Sequence, residues 1–386
     1  MKKFLVLLIL LFPLSVFGLD LHSEKYVIYN LDDDEIILEK GISDDVMIAS
    51  LTKILSAMVI IEGCDNLDKK VVYTREMKNS IPLHAYVIHL KEGVEYTYSD
   101  LLYATILPSA ADAVTALAIN YSSSVSDFVS EMNKKAKEIG LQHSNFTNPI
   151  GMDDSNNHST LEDVLILLRY ALKNDTFKKI YMTKEYTLSD GKVIYSSINM
   201  YSEKLNIDTS RILGAKTGAT GGAGYALSQI FESGGHHLLS ISVLAPQTKD
   251  SYHIIDGLNI IHYMDDNYSD KTLLKKNILL RTIPVYHSNI KEYKLYSDKE
   301  LIKYLNNDYK VEDFHIKFNL PKYLDYHSKN KIGEVYYYYQ EQLLYTQNIF
   351  LDKKIRPSLF EYIKKYIIIV PIIILICFCI RKTKKV

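Results

Sequence analysis

Cysteine is scarce in this chain: three in 386 residues, at Cys64, Cys377 and Cys379. The last two sit inside an apolar run near the C-terminus, which leaves the body of the chain one thiol and excludes a disulfide framework or a cysteine-based zinc site. Charge of one sign is missing too. Lys and Arg number 45 against 46 Asp and Glu, so no overall field selects nucleic acid or a polyanionic substrate. Internal repeats and low-complexity tracts are absent, and His236 and His237 have no partner at a spacing that requires a metal. No metal or other cofactor is therefore expected. Stability must come from packing, and the length allows two folded units plus tails.

Both ends read as membrane signals. Met1-Lys2-Lys3 followed by the apolar run Phe4 to Phe17 has the form of a secretory signal peptide, residues 1–18, with cleavage near Gly18. Tyr366 to Ile380 lacks charge and is flanked by Lys364, Lys365, Arg381 and Lys382. Residues 363–381 are thus expected to anchor the chain in the cytoplasmic membrane, with the basic end inside and the folded part on the extracytoplasmic side. Roughly fifteen helical residues reach only ~22 Å across a ~30 Å hydrocarbon core. An interfacial helix is the alternative, although the segment lacks the polar face such a helix needs.

Between the ends, Lys25 to Asn30 and Glu35 to Leu38 read as a hairpin around the acidic turn Asp32 to Asp34. From Ala49 to Glu62, Leu51, Ile54, Leu55, Met58 and Val59 fall at helical spacing, with Gly63 as a stop and Ser50 in the first turn. Further helices are expected over 99–120, 125–138 and 160–173, the last capped by Ser159 or Thr160. Gly224 to Phe231 and His236 to Leu244 form a second hairpin signal. Strands at both ends with helices between predict one sheet assembled from distant parts, a mixed α/β (α+β) domain over 19–264. Beyond Met264 the chain becomes polar, and residues 276–356, rich in Tyr, Ile and Lys, are expected to form a small β domain.

Ser50 and Lys53, three apart on a helix, share a face with about 5 to 6 Å between Cβ atoms. That arrangement suits a nucleophile and its base. The helix N-terminus favours the developing serine oxyanion, and lysine accepts a proton once burial or a second cation lowers its pKa. Ser-x-x-Lys also occurs at Ser189, Ser288 and Ser328, so the pattern alone does not choose. What chooses is Lys216-Thr217-Gly218 far downstream: an amine for a substrate carboxylate, a hydroxyl, and a glycine that permits close approach. The two together indicate a serine acyl-transfer enzyme.

With Pro108-Ser109-Ala110-Ala111 between them, Ile48-Ala49-Ser50-Leu51-Thr52-Lys53 and Lys216 to Tyr225 resemble the first and third motifs of the D-alanyl-D-alanine carboxypeptidases, low-molecular-mass penicillin-binding proteins of the peptidase S11 type. Asn148-Pro149-Ile150-Gly151 resembles that family's Asn-Pro-x-Gly landmark, and His158-Ser159-Thr160 its His-x-Ser-Thr, one residue short. The resemblance implies a β-lactamase/transpeptidase-like fold, an antiparallel sheet flanked by helices, with a small β domain and a C-terminal anchor. It makes Ser50 the acylated nucleophile, Lys53 its general base and Ser109 a proton relay. Lys216 and Thr217 would bind the terminal carboxylate, Gly218 would admit the substrate, and the N–H groups of Ser50 and Ala219 would form the oxyanion hole. The expected partners are peptidoglycan stem peptides, which lose their terminal D-alanine, and β-lactam antibiotics.

One motif departs from the family. Its second motif reads Ser-x-Asn, whereas Ser109-Ala110-Ala111 lacks the amide that orients lysine and substrate. Asp112, the next residue on a helix, points about 100° away and reads as a structural cap or surface group. His158 reads as a loop hydrogen-bonder. A β-lactamase is one alternative, since Glu203-Lys204-Leu205-Asn206 partly matches the class A Glu-x-x-Leu-Asn pattern. A catalytically weak wall-binding scaffold is the other.

Overall fold

A computed structural model describes residues 19–383, and the expected signal peptide lies outside them. The chain divides into two compact units, one ending at Asp266 and the other beginning at Asn267. The first opens with the hairpin β1 (Lys25–Asn30) and β2 (Glu35–Lys40). A single 3₁₀ turn, Ala49–Leu51, leads into α1 (Thr52–Gly63). Next come β3 (Lys70–Val72), α2 (Arg75–Asn79), β4 (Glu95–Thr97), α3 (Tyr98–Ile106), α4 (Ala111–Ser122) and α5 (Val125–Ile139). They are followed by α6 (Leu161–Ala171), α7 (Asp175–Tyr181), β5 (Glu185–Thr187), β6 (Val193–Tyr195) and α8 (Ser197–Leu205). Three long strands, β7 (Ile212–Thr220), β8 (Gly224–Ser233) and β9 (His236–Ala245), precede α9 (Tyr252–Asn267).

The main sheet runs β2-β1-β9-β8-β7, with every pairing antiparallel. β1 pairs with β9, Lys25 opposite Val243, so the sheet joins chain segments more than two hundred residues apart. β7 ends up as an edge strand. α1 is buried along nearly its whole length, from Thr52 to Ile60, as expected of a helix apolar all round. It packs against α3, α4, α5 and α6 within one continuous core that also takes Val27, Tyr29, Ile230, Leu239 and Ile241 from the sheet.

Helix ends follow their side chains. Thr97 caps α3 in a reciprocal box with Asp100, and Thr160 accepts from the Asp163 N–H to start α6. One expectation fails usefully. The helix expected over 99–120 breaks into α3 and α4, because Pro108 cannot continue the ladder and Ser109 takes a left-handed φ of 69°. Ser50 also sits one step earlier than expected, in the 3₁₀ turn and not inside α1.

The second unit contains β10 (Tyr268–Leu274), β11 (Leu279–Pro284), β12 (Glu292–Tyr296), β13 (Leu301–Asn306), β14 (Phe314–Asn319), β15 (Lys331–Tyr339), β16 (Gln342–Phe350) and α10 (Leu359–Thr383). Its strands pair as β10-β13, β11-β12 and β14-β15-β16, with Leu295, Leu301, Val335, Tyr337 and Ile349 at the centre of its larger core. The expected membrane anchor falls in α10, and here the expectation of a spanning helix is corrected. Among the described residues no helix is long and apolar enough to cross a membrane. The uncharged run is short, and Pro371 interrupts it.

Candidate active site

In the first unit, the 3₁₀ turn before α1, the α3–α4 break, α8 and β7 enclose a cleft of about 740 Å³, lined in part by Ser50, Ser109, Thr217, Gly218 and Ala219. Ser50 reaches it because Ala49 adopts a φ of 45° and turns the chain sharply just before α1. One turn on, Lys53 is buried, and its Nζ donates to Ser50 Oγ at 3.0 Å and to the Ile150 carbonyl at 2.7 Å. No carboxylate offsets this burial. Desolvation pulls the Lys53 pKa down to about 7, within reach of a neutral amine at physiological pH.

The Ile150 carbonyl is held in place by its own loop. Asn148 Oδ1 accepts from the N–H groups of Ile150, Gly151 and Met152, at 3.2, 2.7 and 2.9 Å. Gly151, with φ of 84°, lies so near α1 that a Cβ there would fall 1.9 Å from the Ala49 oxygen. The Asn-Pro-Ile-Gly segment is thus a backboard for the lysine, a role its sequence did not disclose.

Lys216 is fully buried on β7 and donates to the Thr217 carbonyl at 2.7 Å. Burial, and then the charge of Lys53, press its pKa well below the usual value. The two amines therefore sense each other across the site. Thr217 Oγ1 donates to Ser197 Oγ at 2.8 Å, which ties β7 to the start of α8. β7 also runs tightly past Ser50: a Cβ on Gly218 would lie 3.0 Å from the Ser50 nitrogen. Only a glycine fits there without displacing backbone.

Ser109 Oγ is buried at the cleft wall and has no hydrogen-bond partner among the described residues. It is not joined to Ser50 or Lys53 in this state. Ala111, in the place of the family's asparagine, packs with Val114 and Ile150 against Val87 and Met152. The surroundings of Ala111 are apolar.

Asp112, expected as a structural cap or a surface group, is buried and holds backbone N–H groups, so the surface reading is corrected. Its carboxylate accepts from the Ile88 and Leu90 N–H groups at 3.2 and 3.0 Å and fixes the segment that brings Tyr86 to the cleft. His158 lies away from the chemistry in a backbone bridge with Asn145. Among the described residues no cluster of side chains could hold a metal ion.

Sequence reasoning missed α8, whose Met200, Tyr201, Glu203 and Lys204 form one wall of the cleft. The signal was present. Ser196 caps the helix, Ile198, Tyr201 and Leu205 follow at helical spacing, and Asn206 closes it in the left-handed region with φ of 51°.

Comparisons with known proteins place the chain in one family. The sequence model of peptidase S11, D-alanyl-D-alanine carboxypeptidase, matches residues 14–246. The chain is 26% identical over 271 residues to the D-alanyl-D-alanine carboxypeptidase DacF of Bacillus subtilis (strain 168), covering 68% of this chain and 67% of that protein. It is 32% identical over 211 residues to the D-alanyl-D-alanine carboxypeptidase of Streptomyces sp. (strain K15), covering 51% of this chain and 71% of the relative. Its fold aligns with penicillin binding protein 5 from Haemophilus influenzae at a TM-score of 0.62 and 21% identity, over 89% of this chain and 100% of that one. With a family match over more than half its length, this chain belongs to the S11 family of D-alanyl-D-alanine carboxypeptidases.

Proposed function

We propose that the chain is a serine D-Ala-D-Ala carboxypeptidase that trims peptidoglycan stem peptides through an acyl-enzyme on Ser50. The observation that carries the reading is the 3.0 Å contact between Ser50 and a Lys53 whose burial brings its pKa to about 7. The substrate lies extended along β7, the edge strand of the main sheet, as an added strand would. Neutral Lys53 takes the Ser50 proton as Oγ attacks the carbonyl carbon of the penultimate D-alanine. The backbone N–H groups of Ser50 and Ala219 receive the oxyanion. The C–N bond then breaks and D-alanine leaves with a proton passed through Ser109. Water attacks the ester, the C–Oγ bond breaks, and Ser50 regains its hydrogen as the shortened peptide departs.

Lys216 and Thr217 hold the terminal carboxylate in this scheme, and a β-lactam acylates the same serine. The loss of the motif asparagine leaves serine, base and oxyanion donors in place, so it bears on positioning more than on attack. Export by residues 1–18, with the catalytic unit on the extracytoplasmic side, belongs to the same proposal. It rests on the charge and hydropathy pattern of the two termini.

Full-length protein in detergent, given a peptide ending in D-Ala-D-Ala, should release D-alanine and bind labelled penicillin, and Ser50→Ala should do neither. Intact protein without either activity would leave the scaffold reading standing. Nitrocefin separates the β-lactamase reading: stable acylation supports the carboxypeptidase, rapid turnover the lactamase.

A further inference from the structure

Tyr86 lines the catalytic cleft together with Pro108 and Ser109, and half of its surface is exposed. Its hydroxyl makes no hydrogen bond to any other described residue. The backbone that carries it, by contrast, is fixed from several sides. The Tyr86 carbonyl accepts from the Ala111 N–H at 2.7 Å, Ala85 and Val87 pack against the cluster of Ala111, Val114 and Ile150, and Asp112 holds the N–H groups of Ile88 and Leu90. A phenol on so firm a support loses little further freedom when it binds a ligand. Burial, and then the charge of Asp112, raise its pKa above the ordinary phenol value, so at neutral pH the O–H remains a donor.

The direction of a bound peptide supplies the partner. An extended chain puts the N–H and C=O of one residue on one edge and those of the next residue on the other. With the scissile carbonyl of the penultimate D-alanine turned toward the Ala219 N–H of β7, the carbonyl of the residue before it faces away from β7. That oxygen needs a donor from another wall of the cleft. On the wall formed by the α3–α4 break, Ala111 offers only a methyl group and Ser109 is engaged in proton transfer in the proposed scheme, which leaves the Tyr86 hydroxyl.

Resting on the carboxypeptidase reading, we infer that Tyr86 is a substrate-binding residue whose phenolic O–H donates to the backbone carbonyl of the third residue from the peptide's C-terminus, and to the corresponding side-chain amide of a penicillin. The contact reads the backbone and is indifferent to the side chain at that position.

Two β-lactams isolate it. Benzylpenicillin carries the amide, whereas aminopenicillanic acid has the same nucleus with a free amine in its place. In the full-length protein, Tyr86→Phe should slow acylation by benzylpenicillin roughly fivefold, the size expected of one neutral hydrogen bond, and change acylation by aminopenicillanic acid by less than about twofold. Equal slowing of the two would mark a general disturbance of the cleft and overturn the inference, as would an unchanged rate with benzylpenicillin. Peptide affinities for Ser50→Ala, with and without Tyr86→Phe, separate this idea from the enzymatic one. A Kd for a D-Ala-D-Ala peptide raised about fivefold by Tyr86→Phe supports the contact even if no D-alanine is released, and equal Kd values reject it.

Discussion

Lys53 is where burial is converted into chemistry. Its amine is useful as a base only when neutral, so with a pKa of about 7 the rate of Ser50 acylation by penicillin should climb from pH 5.5 and level off above pH 8. A profile rising only near pH 10 would reject this assignment. The same depression affects stability. The folded-state pKa lies below the unfolded value of 10.5, so between about pH 7 and 10.5 the unfolded chain binds more protons, and this residue's contribution to stability rises with pH. The difference in unfolding free energy between parent and Lys53→Met should accordingly shift in the parent's favour by roughly 1 kcal/mol per pH unit across that window. Denaturant melts at pH 7.5 and 9.5 would measure it.

His253 follows the same sign in a more acidic window. It is buried, stacked on Tyr225 with ring centroids 4.4 Å apart and edge-on to Tyr201 at 4.9 Å, and neither ring nitrogen has a partner among the described residues. Burial drives its pKa down to about 3. Below the unfolded value of 6.5 the unfolded chain takes up a proton that the native ring refuses, so stability is lost as pH falls from 6.5 toward 3. His253→Phe, which keeps the stack without the titration, should flatten this acid slope. An unchanged slope would show that other groups set it.

Among the elements, the connections matter more than the helices they join. The α3–α4 break presents Ser109, and the Asn148–Gly151 loop presents the Ile150 carbonyl to Lys53. Two glycines with positive φ separate strain from collision. Gly151→Ala should cost roughly 3 kcal/mol or more and slow acylation sharply, since the new methyl would strike the Ala49 carbonyl beside the nucleophile. Gly93→Ala has nothing within 4 Å and should cost only about 1 kcal/mol of left-handed strain, with acylation unaffected. Thermal melts and penicillin labelling of both variants would test the contrast. Asp112→Ala should resemble Gly151→Ala in stability, at about 2 to 4 kcal/mol, because two buried N–H groups lose their acceptor.

Across the whole molecule, every residue assigned to the chemistry lies before Asp266, inside one compact unit. The piece 19–266 should therefore fold and acylate with penicillin within about twofold of the full chain. A tenfold loss would show that the second unit supports the site. We expect the β-rich unit to matter in cells, where deleting 276–356 while keeping α10 should reduce wall trimming but spare soluble peptide cleavage. Unchanged trimming would reject that stand-off role.

How far these features could be read from the chain depended on the range of the interactions behind them. Ser50 with Lys53, the strand carrying Lys216, and the two hairpins of the main sheet depend on spacing and turn residues within a few positions, so pattern alone disclosed them. Pro108 was visible but not weighed against the helical periodicity around it, and so the break that positions Ser109 was lost. The burial of Asp112, the carbonyl behind Lys53 and the place of Glu203 on the cleft wall arise from contacts between segments far apart in sequence. The depressed lysine pKa belongs with them, since desolvation needs the neighbours that only folding assembles. Local order of residues pointed to Ser50, Lys53 and Lys216, while long-range packing set the environment of the two amines and what else shares the cleft.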